Sequence, residues 1–286
     1  MHQSSVKEGL ARVMFAVAAG ISILAVGLIC VFLLANGIPA MTQIGIPEFL
    51  LGTTWRPAND LYGIFPMIVG SIYVTAGAML VGVPTGLLCA IFLSRFASTR
   101  VARVLKPGVE LLAGIPSVVY GFFGLVVIVP FIRENMTGRG LSLLAAAVLL
   151  GIMILPTIIT VAQSALDAVP RKYYEGSLAL GADHERSVFR VIVPAATSGI
   201  MAAIVLGVGR AIGETMAVIM VAGNQPAIPG SLFDGVRTMT ANIVLEMGYA
   251  ADLHRGALIA TGVVLFVFIL LITALFSAIK KRGEAR

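Results

Sequence analysis

Arg210 and Glu214 are the side chains best suited to do chemistry. They stand four apart in Gly209-Arg-Ala-Ile-Gly-Glu-Thr-Met-Ala217, in a stretch from 195 to 222 that carries no other charge. On a continuous helix that spacing places both on one face, where they can pair. Arg210 then lies about 15 residues, roughly 22 Å, along the helix. A charge at that depth in lipid costs about 2.5–3.5 kcal/mol, so it faces protein or water and marks a substrate path or pins two helices. The planar fork of guanidinium donors suits a tetrahedral oxyanion, which favours the path, with Glu214 holding or gating the cation. Ser117 and Tyr120, in Gly114-Ile-Pro-Ser-Val-Val-Tyr-Gly121, add hydroxyls that serve such a path or bond neighbouring helices.

Other chemistries find no support. His2, His184 and His254 have no spacing for a metal site or triad and read as surface histidines. Cys30 and Cys89 form no close pair and read as apolar fillers. No Gly-x-x-x-x-Gly-Lys-Ser/Thr loop is present, so any ATP hydrolysis belongs to another chain.

The elements that position these residues are membrane helices. The chain is 58% hydrophobic and only 12% charged, outside the range of soluble domains. Six runs are long enough to span, at about 13–35, 67–93, 109–131, 141–163, 195–222 and 256–279. The expected architecture is an all-α polytopic membrane protein, with a tail at 1–12, an irregular outer segment at 36–66, a five-helix core over 67–279 and a tail at 280–286. Fourteen of the 20 Lys and Arg fall in the loops on one side and five on the other, which predicts that both termini are cytoplasmic. The basic residues are scattered through these loops, with no aromatic-interleaved patch for nucleic acid. Gly82 and Gly86, and likewise Gly209 and Gly213, are spaced for close helix approach. Pro84, Pro116 and Pro156 mark helices whose freed carbonyls need protein or water beside them.

The inward segment at about 170–194 reads as helix, turn, helix. Pro170 suits a first turn, Gly181 a positive-φ stop and Asp183 an N-cap, with Pro194 opening the next span. Tyr173, Tyr174, Leu178 and Phe189 are apolar knobs suited to a groove on a partner, or to a helix lying in the membrane interface.

Glu175-Gly-Ser, three residues, Gly181, nine residues and Val191-Ile-Val-Pro194 resemble the EAA motif of bacterial ABC-importer permeases, with Gly-Ser for Ala-Ala and Val for Ile and Leu. The resemblance implies a type I (MetI-like) importer fold in a bacterial inner membrane. It also implies a coupling segment seated in an ATPase, carried here by Tyr174, Glu175, Gly176, Gly181 and Pro194. Gly209 to Val218 and Gly114 to Gly121 are similar to the span signatures of phosphate-specific permeases of the PstC type, the likeness covering about Phe49 to Asn224. Met216 to Ile219 follow where PstA-type sequences usually have Ala-Pro. The family implies a PstA-type permease partner, two PstB-type ATPases binding ATP and Mg, a PstS-type phosphate-binding protein outside, and no cofactor in this chain. Arg210, Glu214, Thr215, Ser117 and Tyr120 become the expected substrate path. Arg210 alone does not separate phosphate from sulfate or molybdate.

Overall fold

The computed structural model describes residues 2–284, with side chains from 11 to 278. The tails expected at 1–12 and 280–286 therefore lie largely outside the described side chains. Among the described residues, five helices are long and apolar enough to cross a membrane, and six if one bent pair counts as a single span.

Helix α1 runs His2–Ile44, so the expected 13–35 span is the middle of a longer rod and the outer segment begins later than 36. Its 43 residues reach about 65 Å. After α2 (Ile46–Leu51), a short antiparallel ribbon pairs β1 (Trp55–Arg56) with β2 (Leu61–Tyr62). Helix α3 (Phe65–Ile91) ends in a wider turn over Phe92–Phe96.

The expected 109–131 span divides. Its first residues belong to α4 (Thr99–Gly114), an amphipathic helix capped by Ser98. Pro116 then starts a second rod, α5 (Ser117–Phe123), a wide turn and α6 (Val129–Asn135), which is the true span. Proline cannot continue the helix before it, because its ring disfavours helical geometry at the preceding residue. Ile115 is accordingly extended.

Helix α7 (Leu143–Asp167) is the axis of the bundle, with Leu149, Leu150, Met153, Ile154 and Ile158 buried. It lies against α3 along a seam of glycines. A Cβ added at Gly82 would fall 2.6 Å from Ile154, and one at Gly86 2.9 Å from Ile158. In lipid such close backbone approach replaces the water-driven hydrophobic effect as the source of helix association.

The segment at about 170–194 is a hairpin of α8 (Arg171–Ala179) and then α9 (His184–Ser187), continued by a wide turn into α10 (Val193–Ala195). The chain next bends by 69° into α11 (Thr197–Gly213). Pro194 thus ends the hairpin's second helix rather than opening the span. Helix α12 (Met216–Val221) follows the break after α11, α13 (Met239–Glu246) packs against α14 and α3, and α14 (Asp252–Glu284) lies beside α1 at the periphery.

Candidate functional site

The expected pairing of Arg210 with Glu214 does not occur, because the helix stops between them. Helix α11 ends at Gly213, and Glu214 is extended at φ −69° and ψ 130°. The four-residue rule holds only on unbroken helix. Glu214 Oε1 instead accepts from the backbone N–H of Thr215 and of Ala217, both at 3.2 Å. It thereby satisfies amides at the start of α12 that have no partner within that helix. Thr215 Oγ donates to the Gly213 carbonyl at 3.2 Å.

Arg210 Nη1 donates to Thr157 Oγ1 on α7 at 3.1 Å, and this is its one hydrogen bond to the described residues. A Cβ added at Gly209 or Gly213 would meet nothing within 4 Å. Among the described residues these two glycines therefore make no close helix approach, and both positions are open on that side of α11. The opposite side of α11 is closed, since a Cβ at Gly207 would sit 3.0 Å from Ile158.

The second signature meets the first. Gly121 of α5 abuts Ala217 and Met220 of α12, and buried Tyr120 joins the same apolar cluster as Ala217 and Val218. The Tyr120 hydroxyl donates to the Leu112 carbonyl at 2.9 Å, so it ties α5 to the end of α4. Half-buried Ser117 is the first residue of α5, behind Pro116.

Sequence reasoning missed two contributors. Thr157 holds Arg210, and Thr240 of α13 donates to the Glu214 carbonyl at 3.2 Å. Thr157 was findable as a polar position inside a predicted span. Thr240 was not, because 223–250 reads only as an outer loop.

The same loop hides a buried ion cluster. Glu246 accepts from Arg237 at 2.6 Å, from His254 at 2.9 Å and from the Trp55 indole at 2.9 Å. His254 is consequently no ordinary surface histidine. Arg237 also donates to Asn242 Oδ1 at 3.0 Å and to the Asn224 carbonyl at 2.9 Å. The cluster clamps the β1–β2 ribbon, α13 and the start of α14 together.

In the hairpin Gly181 has φ +85°, a conformation that glycine adopts without strain, and its N–H bonds the Leu178 carbonyl at 2.9 Å. Asp183 Oδ1 caps the next helix by accepting from Arg186 N at 2.7 Å. Pro170 precedes α8 as its cap residue rather than lying in the first turn. Tyr174 is not an outward knob. It turns inward to bond His184 Nδ1 at 2.8 Å and joins the apolar cluster of Val188 and Ile192. His184 also lies edge-on to Phe96, so it too is structural. Glu175, Gly176, Gly181 and Pro194 are exposed, and Leu180, unremarked in the sequence, is 91% exposed at the tip.

Residues 82–283 match the family of binding-protein-dependent transport system inner membrane components. The chain belongs to that family. Over 260 residues the permease is 43% identical to the probable ABC transporter permease protein YqgH of Bacillus subtilis, covering 87% of this chain and 84% of that one. It is 34% identical to the phosphate transport system permease protein PstC of Mesorhizobium japonicum, covering 94% and 88%. The PstC of Haemophilus influenzae is 35% identical, with coverage of 77% and 76%. Among solved structures, a bacterial alginate ABC importer superposes with TM-score 0.59 at 13% identity, over 95% of this chain and 99% of that one. The inward-facing MetNI methionine transporter gives 0.55 at 22%, over 77% and 94%. These last two carry the type I importer fold alone. The permease is thus a non-catalytic, multi-pass inner-membrane subunit that works with an ATPase and a binding protein.

Proposed function

We propose that this permease is the PstC-type subunit of an ATP-driven importer of inorganic phosphate, and that Arg210 is the cation of its path. The observation that carries the reading is a half-buried guanidinium about 20 Å into the span from Thr197, held by a single hydroxyl and by no carboxylate among the described residues. Glu214, Thr215, Ser117 and Tyr120 shape the wall around it. The PstC relatives support phosphate as the cargo.

On this reading a PstA-type subunit completes the pathway, PstB-type ATPases that bind ATP and Mg dock on the hairpin, and a PstS-type protein delivers phosphate outside. Glu175, Gly176, Gly181 and Pro194 present the coupling surface, and Tyr174 stiffens it from within. The charge bias of the loops supports cytoplasmic termini.

Hydrogen bonds to charged groups are worth about 1.5–3 kcal/mol each, so losing a two-pronged fork costs about 3–6 kcal/mol, roughly a hundredfold to ten-thousandfold in rate. Arg210→Gln, at normal abundance and with the ATPase still co-purifying, is expected to reduce ATP-driven phosphate uptake into vesicles to background. Unchanged uptake would overturn the assignment. A wild-type transporter that moves sulfate in place of phosphate would keep the path and change the cargo.

A further inference from the structure

The inward half of α7 carries a polar stripe that a lipid-facing helix would not carry. Thr157, Thr160, Ser164 and Asp167 recur every three or four residues, on one helix face, with Gln163 beside them. The stripe starts at the hydroxyl that holds Arg210 and ends at the inward end of the helix, about 15 Å away. Thr160 and Ser164 are exposed in this chain. Across from them lies α4, and the two helices enclose a cleft of about 220 Å³ lined by Lys106, Glu110, Thr160, Gln163, Ser164 and Asp167.

The donors in that cleft are unevenly committed. Ser164 Oγ donates to the Thr160 carbonyl of its own helix at 2.8 Å. Asp167 accepts from Ser94 at 2.5 Å and from Gln163 at 3.4 Å. Among the described residues neither the Lys106 ammonium nor the Thr160 hydroxyl has a hydrogen-bond or ion-pair partner, and Gln163 keeps a second amide hydrogen. These three donors line one cleft, one helical turn along α7 from the Thr157 that holds Arg210.

We propose that the cleft between α4 and α7 is a second oxyanion station, where Lys106, Thr160 and Gln163 receive phosphate from Arg210 before its release. The inference rests on the reading of Arg210 as the path cation. Glu110 and Asp167 are part of the design. One ammonium against two carboxylates gives a lining that holds an anion weakly, and conduction needs sites that are easy to leave as well as to enter. A station with the same donors and no carboxylates would trap its cargo.

The test uses the complete transporter in vesicles, with Cys30 and Cys89 replaced by alanine and Ser164→Cys introduced, since Ser164 lines the cleft but spends its hydroxyl on its own helix. A membrane-impermeant thiol reagent applied from the cytoplasmic side is expected to label position 164, and orthophosphate added on the same side is expected to slow that labelling. Lys106→Gln should weaken the protection by about tenfold, Lys106→Arg should retain it, and Glu110→Gln should strengthen it. The proposal is overturned if position 164 is not labelled, if phosphate leaves labelling unchanged, or if protection is indifferent to Lys106→Gln. Arg210→Gln in the same background separates the two readings. Uptake that survives it, with protection still dependent on Lys106, removes Arg210 from the path and keeps the cleft. Uptake lost with no protection at 164 removes the cleft and keeps Arg210.

Discussion

Replacing Glu246 by alanine removes the one carboxylate on which Arg237, His254 and Trp55 converge. The side chains of Glu246 and Arg237 are only 10% and 15% exposed, so water replaces little of what is lost. Three hydrogen bonds to a charged acceptor, at about 1.5–3 kcal/mol each, set an upper range of about 4.5–9 kcal/mol. Arg237 keeps Asn242 Oδ1 and the Asn224 carbonyl, which lowers the penalty. The expected loss is therefore about 3–5 kcal/mol, the usual result of breaking a buried pair and leaving one charge uncompensated. Trp55 is the chain's single tryptophan, so its fluorescence reports this cluster without competing signals when the subunit is purified alone in detergent. Denaturant titration followed by Trp55 emission should show the destabilisation, with Glu246→Gln intermediate because an amide still accepts from the indole. A loss below about 1 kcal/mol for Glu246→Ala, with unchanged emission, would refute the claim that the carboxylate organises the outer end of the bundle.

Gly181→Pro forces φ from +85° to about −65° and deletes the N–H that bonds Leu178, so ATPase co-purification should fall or hydrolysis should proceed without transport. Normal coupled uptake in that variant would count against the hairpin as the coupling surface. At the outer ribbon, burial first and then the charge and hydrogen bond of Asp60 raise the Tyr62 phenol above its ordinary value of 10.0. Its neutral form is the one the fold favours, so this contribution is full below pH 10 and is lost as pH rises through the elevated folded value. Trp55 lies 5.8 Å from the Tyr62 ring, and its emission should report an alkaline loosening that Tyr62→Phe removes; identical alkaline profiles would contradict this.

The spans were legible because lipid demands long uncharged runs, and the hairpin because glycine, aspartate and proline act locally. What the sequence hid depends on contacts between distant segments. Glu246 and His254 look like solvent-facing loop residues until Trp55, 191 positions away from Glu246, is folded onto them. Tyr174 reads as an apolar knob because periodicity does not show that His184 lies opposite it. The α4 boundary escaped because Val109, Leu111, Leu112 and Ala113, interrupted only by Glu110, continue the apolar character of the span that Pro116 begins. Thr157 and Thr160 were visible as letters, but only the fold shows that one reaches Arg210 and the other faces Lys106.

The misread pairing of Arg210 and Glu214 says most about mechanism. Continuous helix would have set the two charges against each other, leaving a neutral pair with little hold on an anion. The break after Gly213 instead gives Glu214 two backbone amides and leaves Arg210 with the Thr157 hydroxyl. Arg210 stands in the last turn of α11, where unpaired carbonyls favour a cation, and Glu214 stands at the start of α12, where unpaired amides favour an anion. Each placement is worth about 0.3–1 kcal/mol at exposed sites and up to about 2 kcal/mol when partly buried. The break is also satisfied locally, through Glu214 Oε1 on two amides, Thr215 Oγ on the Gly213 carbonyl and Thr240 on the Glu214 carbonyl. Irregular backbone at membrane depth persists only where such partners or water are at hand. The guanidinium is thereby held in the membrane without being neutralised by its neighbour, which is the condition an anion path requires.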